Sequence, residues 1–145
     1  MTASALGIVG AMLALGALAI GLMIYLGTIR VPLVLKGEVK MGDIAVDRGA
    51  WPEREHRVAN AVDNQFQLPV LFYAGCLLAL WFGTTFLELL LAWAFVVTRY
   101  AHAYIHVTHN HVLRRFWAFF TGLIILSGLW LDLVVRLALA AFGVN

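Results

Sequence analysis

One stretch of the chain decides the fold class: RVANAVDNQFQLPVLFYAGCLLALWF, which runs from Arg57 to Phe82. Its second half is apolar and forms the end of a predicted membrane helix that runs over 53–82. Its first half carries polar side chains at intervals of three, four and three residues: Arg57, Asn60, Asn64 and Gln67. This spacing places the four on one face of an α-helix. Because polar groups on a lipid-embedded helix are costly, the face is predicted to meet a partner helix or a wet cavity.

A second polar stripe repeats the same spacing on a later segment, with Arg99, His102, His106 and His109. Both stripes lie at one end of an apolar segment. Two polar faces at the same membrane depth predict a polar pocket between the helices that carry them.

The composition indicates an integral membrane protein. The chain has 145 residues, of which 63% are hydrophobic and only 12% charged. Soluble domains carry roughly 25% charged residues, about twice this share. The net charge of +2 comes without a basic face outside the loops, so we expect no nucleic-acid partner.

Four apolar segments predict an all-α membrane protein, a four-helix up-and-down bundle that forms a single domain over residues 1–145. The predicted helices are 5–30, 53–82, 85–108 and 114–142. Short turns separate the last three and favour antiparallel neighbours. Pro69 lies inside the second helix and is predicted to kink it.

The positions of Lys and Arg predict the orientation. Most of them lie in or beside the loop 36–55 or at Arg114 and Arg115, whereas the Gly83-Thr84 turn has none. Basic loops favour the cytoplasmic side. We therefore expect multi-pass insertion with both termini on the non-cytoplasmic side and the polar stripes opening toward the cytoplasm.

The charged residues inside the apolar segments need partners. Arg99 lies about four turns into the third helix and needs an anion, a carboxylate or backbone carbonyls, and Asp63 is one candidate. Asp132 and Arg136 stand four residues apart and are predicted to pair. Glu88 is expected near the outer end of the third helix, reaching the interface.

The histidines and amides of the two polar stripes are compatible with more than one kind of site. Histidines four residues apart, such as His102 and His106, can bind one metal ion. No cysteine or well-placed carboxylate accompanies them, so we predict no metal site, and a proton relay remains an alternative. The amides of the first stripe can hold a polar ligand or join two helices.

The segment from Arg57 to Tyr73, together with Arg99-Tyr-Ala-His102 and Arg114-Arg115, resembles the MAPEG family. These are the membrane-associated proteins of eicosanoid and glutathione metabolism, and this chain resembles a divergent, bacterial-type member. The resemblance implies a homotrimer in the membrane lipid. It also implies that glutathione binds between neighbouring subunits and that lipophilic substrates arrive from the bilayer.

The resemblance also implies roles for single residues. Arg115 corresponds to the catalytic arginine that stabilises the glutathione thiolate. The implied glutathione ligands are Arg30, Asn60, Asn64, Gln67, Arg99, His102 and His106. The chain departs from the family pattern at Gln67, where a glutamate is usual, at Asp63, where a basic residue is usual, and at His106, where a tyrosine is usual.

Two functions follow from this resemblance. One is a glutathione-dependent transferase or peroxidase that acts on lipophilic electrophiles or hydroperoxides. The alternative is a non-catalytic trimer on the same scaffold that binds a lipid or quinone, or that serves as an accessory to a membrane complex. The retained Arg30, Asn64 and Arg115 favour the enzyme, whereas the altered ligands favour the alternative.

Overall fold

The computed structural model describes residues 2–45 and 47–143 of the chain. Its helices are α1 (Ala3–Leu35), α2 (Met41–Ile44), α3 (Glu53–Asp63), α4 (Leu68–Phe82), α5 (Phe86–Val107) and α6 (Val112–Ala141). Short 3-10 turns at Arg48–Ala50 and Asn64–Phe66 precede α3 and follow it. The four units long and apolar enough to span a membrane are α1, α3 with α4, α5, and α6. The predicted four-helix membrane bundle is thereby confirmed.

The second membrane-spanning unit was predicted to be one continuous helix, but in the structure it is divided into two helices. Helix α3 ends at Asp63, a 3-10 turn follows, and Gln67 adopts φ −102° and ψ −103° before α4 begins. Pro69 lies in the first turn of α4, where its missing N–H costs no hydrogen bond. A continuous helix would press the Pro69 ring against the carbonyl of Gln65 and leave that carbonyl without its donor, so the helix ends before the proline and restarts at Leu68. Pro69 therefore starts a helix instead of kinking one.

Helix α5 lies at the centre of the bundle and packs against α1, α3 and α6. Its buried residues recur every three or four positions: Glu88, Ala92, Phe95, Val96, Arg99, His102, Ala103 and His106. Around the first half of α5 the core is apolar, and the rings of Phe72 and Phe95 stack with centroids 4.8 Å apart. Cys76 is fully buried in this core. The second half of α5 carries the polar positions toward α3.

The bundle has two distinct ends. At the terminal end, the start of α1 meets the α4–α5 turn, with 3.4 Å between the hydroxyl oxygens of Thr2 and Thr84. At the loop end, the start of α3 meets the α5–α6 turn, where Arg57 Nη1 donates to the carbonyl of Thr108 over 3.2 Å. Charged groups are buried at both ends, in different arrangements.

The terminal end is held by a charged cluster that we call the Arg136 clamp. Arg136 pairs with Glu88, which is fully buried, and also donates to the carbonyls of Phe82 and Gly83. The second carboxylate oxygen of Glu88 accepts from the backbone N–H and the hydroxyl of Thr85, over 2.7 and 3.1 Å. One arginine thus joins the end of α4 to the start of α5.

The clamp corrects two predictions about charged residues. Arg136 pairs with Glu88 and not with Asp132, and Glu88 lies in the protein interior and not at the interface. The physical reason is that the capping box with Thr85 holds the Glu88 carboxylate in place at the first turn of α5. The Glu88 carboxylate is therefore fixed on the neighbouring helix α5, where it pairs with Arg136 better than Asp132 does on the surface of α6.

Candidate functional site

A cavity of about 450 Å³ opens at the loop end, between the α3–α4 break, the second half of α5 and the start of α6. It is lined by Asn60, Asp63, Asn64, Gln67, His102, His106, Val112, Arg115, Phe116 and Phe119. Its volume lies within the range of roughly 300–1,000 Å³ that small-molecule sites occupy. Asn60, Asn64 and Gln67 of the first stripe therefore face one shared space with His102 and His106 of the second.

The outermost members of the stripes do not reach the cavity. Arg57 donates to Thr108 and to the carboxylate of Glu53, so it ties the loop end together. His109 is exposed, and one of its ring nitrogens lies 2.7 Å from the hydroxyl of Thr108. Because α5 ends at Val107, His109 lies beyond the last turn and helical spacing no longer places it on the stripe.

Arg99 lies directly behind the cavity wall and is fully buried. Its Nη2 donates over 3.3 Å to the carbonyl of Asn64 and lies 3.5 Å from His102 Nδ1. Its guanidinium carbon is 5.8 Å from the centroid of the Phe119 ring. The contact that the structure describes on this side of Arg99 is with the Asn64 carbonyl and not with the candidate Asp63, because the helix break presents that carbonyl at this point.

Several buried polar atoms around Arg99 have no hydrogen-bond partner in the part of the chain that the structure describes. They are Arg99 Nε, Arg99 Nη1, Gln65 Oε1 and His106 Nδ1. Burying a charge without a paired counter-charge costs several kcal/mol, and such atoms usually bind water or an ion. Arg99 therefore has two nitrogens with unused capacity to donate hydrogen bonds, whereas the Gln65 oxygen can only accept one.

Arg115 reaches the cavity from the first turn of α6. Its Nη1 donates to Asn110 Oδ1 over 2.6 Å and lies 3.3 Å from His106 Nε2. Both contacts use Nη1, so within the described ranges Nε and Nη2 remain available to a ligand. Asn110 adopts φ +47°, a left-handed conformation that asparagine tolerates. Its place in the α5–α6 turn was visible in the sequence, but its contact with Arg115 was not.

Arg30 lies outside the main cavity. It lines a smaller neighbouring cavity of about 160 Å³, and Asn60 and Asp63 contribute to both. Its Nη2 is 2.6 Å from the carboxylate of Glu55, which is only 1% exposed, and its guanidinium carbon is 5.1 Å from the centroid of the Trp51 ring. Glu55 therefore already balances the charge of Arg30, a contact that sequence reasoning missed.

Part of the apolar wall of the cavity was also not predicted from the sequence. Val112 and Phe116 share one face of α6 with Arg115 and Phe119, since these positions are spaced by three and four residues. That spacing was readable from the sequence. The cavity thus has polar groups from α3 and α5 on one side and apolar side chains from α6 on the other.

The two cavity histidines lie edge to face, with ring centroids 5.7 Å apart. Among residues 2–45 and 47–143, no three His, Cys, Asp or Glu side chains gather closely enough to hold a metal ion. Each cavity histidine instead has an arginine nitrogen near one of its ring nitrogens.

Comparison with known proteins identifies the family. The model of the MAPEG family matches residues 8–135, which include α3, α4 and α5 completely and most of α1 and α6. No curated protein and no solved structure matches the chain. The family match covers well over half of the sequence and includes every residue that lines the cavity. This membrane protein therefore belongs to the MAPEG family.

Proposed function

We propose that the chain is a glutathione-dependent membrane enzyme, a transferase or peroxidase acting on lipophilic electrophiles or hydroperoxides. One observation carries the proposal: two arginines meet at one cavity with no carboxylate partner in the described chain, Arg115 on the wall and Arg99 behind it. Glutathione is a suitable ligand because it bears two carboxylates and an ionisable thiol. Family membership supports the same ligand.

Arg115 is the proposed catalytic residue. A positive group close to a thiol favours the thiolate, which is the reactive nucleophile. Asn110 holds Nη1 of Arg115, and this leaves the rest of the guanidinium directed to a ligand. When bound, glutathione supplies the sulfur that attacks an electrophile or reduces a peroxide, and Arg115 stabilises the negative charge on that sulfur.

The remaining polar wall fits a zwitterionic peptide. His102, Asn60 and Asn64 offer groups for carboxylates and amides, while the Asp63 carboxylate can accept from an ammonium group. The Asn64 amide donates to the carbonyl of Asn60 over 2.7 Å, so its Oδ1 remains as an acceptor. Asp63 and the uncharged Gln67 disfavour a carboxylate close by, and we therefore expect weak binding.

A homotrimer would complete this site. Asn60, Asp63 and Gln67 are exposed on the side of the bundle and not enclosed within it. A polar lateral wall on a membrane protein is better covered by a neighbouring subunit than by lipid. Native mass spectrometry in mild detergent tests the assembly, and a clean monomer would contradict it.

The second substrate is proposed to be a lipophilic small molecule from the bilayer. Val112 and Phe116 are exposed on α6 where it lines the cavity, so an apolar route leads from the lipid to Arg115. An electrophile or hydroperoxide that partitions into the membrane would reach the sulfur along this wall.

The loop end is proposed to face the cytoplasm, with both termini on the other side. The basic residues of the loop and of the α5–α6 turn support this orientation. Labelling of Asp43→Cys in a Cys76→Ala background tests it. Reaction of that cysteine with an impermeant reagent from the non-cytoplasmic side would reverse the orientation.

Glutathione binding to the purified full chain is the deciding experiment. Calorimetry is expected to give a dissociation constant in the millimolar range, with conjugation of a lipophilic electrophile in a parallel assay. Arg115→Ala is expected to abolish both. Arg114→Ala is the matched control, because Arg114 is the adjacent exposed arginine and does not line the cavity.

The other outcomes separate the alternatives. No binding at millimolar glutathione would eliminate the enzyme and leave the non-catalytic trimer that binds lipid or quinone or supports a membrane complex. The pairing of Arg30 with Glu55 favours that alternative, because it removes one cation from the ligand set. Conjugation that survives Arg115→Ala would keep the enzyme and assign the thiolate to another group.

A further inference from the structure

The two histidines of the cavity are each approached by an arginine from a defined direction. Arg99 Nη2 lies 3.5 Å from His102 Nδ1, and Arg115 Nη1 lies 3.3 Å from His106 Nε2. A guanidinium carries only N–H donors and no acceptor. Two N–H donors that face each other cannot form a hydrogen bond. Each of these two ring nitrogens must therefore be unprotonated and accept the hydrogen bond with its lone pair.

These contacts assign opposite tautomers to the two rings. His102 carries its proton on Nε2, and His106 carries its proton on Nδ1. His106 Nδ1 is buried, and no other side chain in the described ranges bonds to it, so besides the Arg115 contact only the backbone of His106 itself acts on the ring. The contact with Arg115 is therefore the side-chain interaction that favours this tautomer of His106. Free imidazole side chains in water favour the other form, with the proton on Nε2.

His102 Nε2 is the nitrogen available to a ligand. It has no hydrogen-bond partner among the described residues, and it is not one of the fully buried polar atoms. The residue itself lines the cavity. Arg99 does not line the cavity and lies behind His102, Asn64 and Phe119. It can influence a ligand through the residues in front of it.

We propose that Arg99 is a positioning residue that holds His102 in the Nε2–H tautomer. His102 then serves as a hydrogen-bond donor to an acceptor group of the ligand, and its Nδ1 lone pair is not available to a base reaction or a metal ion. This point of the cavity selects carboxylate or carbonyl oxygens and rejects ammonium groups, which would face a second donor. The identity of the ligand as glutathione rests on the proposed function, whereas the tautomers do not.

The tautomers can be measured directly in the ligand-free protein. The full chain is labelled with ¹⁵N-histidine, reconstituted in lipid bilayers and studied by solid-state NMR, which distinguishes protonated from unprotonated ring nitrogens. Single substitutions at each of the five histidines assign the signals. We expect the proton on Nε2 for His102 and on Nδ1 for His106.

Arginine variants test the cause. In Arg99→Met, His102 is expected to show a second population protonated on Nδ1, because that nitrogen is no longer occupied. Arg99→Lys retains a donor and is expected to keep the single form. In Arg115→Met, His106 is expected to change to the Nε2–H form. A proton on His102 Nδ1 in the unsubstituted chain, or a His102 signal unaffected by Arg99→Met, would overturn the proposal.

A matched pair of variants tests the donor role in binding. His102→Gln places an amide N–H near the position of the imidazole Nε2, whereas His102→Phe keeps the ring and removes both nitrogens. We expect His102→Phe to weaken glutathione binding roughly ten-fold or more, as for the loss of a hydrogen bond to a charged group, and His102→Gln to retain most of it. Equal losses in both variants would contradict the donor role.

The glutathione-binding measurement and the NMR measurement test the two proposals independently. If glutathione does not bind at all, the proposed function fails, and the NMR measurement still decides whether Arg99 and Arg115 select the tautomers. If glutathione binds but His102 is protonated on Nδ1, the positioning role of Arg99 fails and the proposed enzyme stands.

Discussion

The Arg136 clamp and the loop-end cavity both bury charge, but they treat it in opposite ways. In the clamp, Arg136 meets one carboxylate and two carbonyls, and the Glu88 carboxylate also receives the N–H and hydroxyl of Thr85. At the loop end, Arg99 meets one carbonyl and one imidazole, and its Nε and Nη1 have no partner in the described chain.

This difference separates a structural role from a binding role. A buried pair whose hydrogen bonds are satisfied holds helix ends together and has nothing left for a ligand. A buried cation with unused donors, next to a cavity of about 450 Å³, is poised to interact with an anion. Substitutions in the clamp should therefore have the larger effect on the free energy of unfolding, and substitutions at the cavity should have the larger effect on ligand binding.

The largest effect is expected from breaking the clamp. Glu88→Gln removes the carboxylate while keeping the side-chain shape, so Arg136 loses its direct ion-pair partner and keeps only the Asp132 carboxylate, which lies beyond ion-pair distance. We expect a loss of about 3 kcal/mol in the free energy of unfolding, because removing one partner strands a largely buried charge. Unfolding of the full chain in mixed detergent micelles measures it.

An exposed ion pair provides the control for the clamp. Glu53 is 79% exposed and pairs with Arg57 at 2.7 Å. Glu53→Gln is expected to change the unfolding free energy by no more than about 0.5 kcal/mol. Equal effects of the two substitutions would remove the distinction between the clamp and an ordinary surface pair.

Ligand binding should sharpen the contrast between the two ends. Glutathione at about one hundred times its dissociation constant is expected to stabilise the chain by about 2.7 kcal/mol. Hydrogen exchange should slow in residues 60–67 and 99–115, which line or surround the cavity, and remain unchanged in residues 82–88 of the clamp. Equal protection at both ends would contradict a site confined to the loop end.

Arg99→Met should have a smaller effect on the ligand-free protein than Glu88→Gln. Arg99 has no carboxylate partner in the described residues, so its removal strands no anion and eliminates a buried unpaired charge. We expect a change of about 1 kcal/mol or less in unfolding free energy, together with weaker glutathione binding. A loss of roughly 3–5 kcal/mol would reveal an anion permanently buried beside Arg99.

The smallest effect is expected at His109. This residue continues the spacing of the second stripe, but it is exposed and lies beyond the end of α5. His109→Ala should change both the unfolding free energy and the glutathione affinity by no more than about 0.5 kcal/mol. A ten-fold loss of affinity would show that His109 reaches the ligand after all.

Periodicity predicted the site better than it predicted the contacts within it. The spacing of three, four and three residues brought Asn60, Asn64, His102 and His106 to one cavity, because helical faces are a local property of the chain. The same reasoning failed for His109, where the helix had ended. It also failed at the second span, where the backbone leaves the helix before Pro69.

The amino-acid sequence by itself determined that this protein crosses a membrane with four helices and that two helix faces are polar. Composition and side-chain period are sufficient for both, since each depends only on neighbours along the chain. The choice of ion partners was decided by the tertiary structure alone. Arg136 reaches Glu88 across 48 positions, and Arg99 reaches the Asn64 carbonyl across 35. Local spacing cannot predict such contacts, because they depend on how helices pack and where a helix breaks.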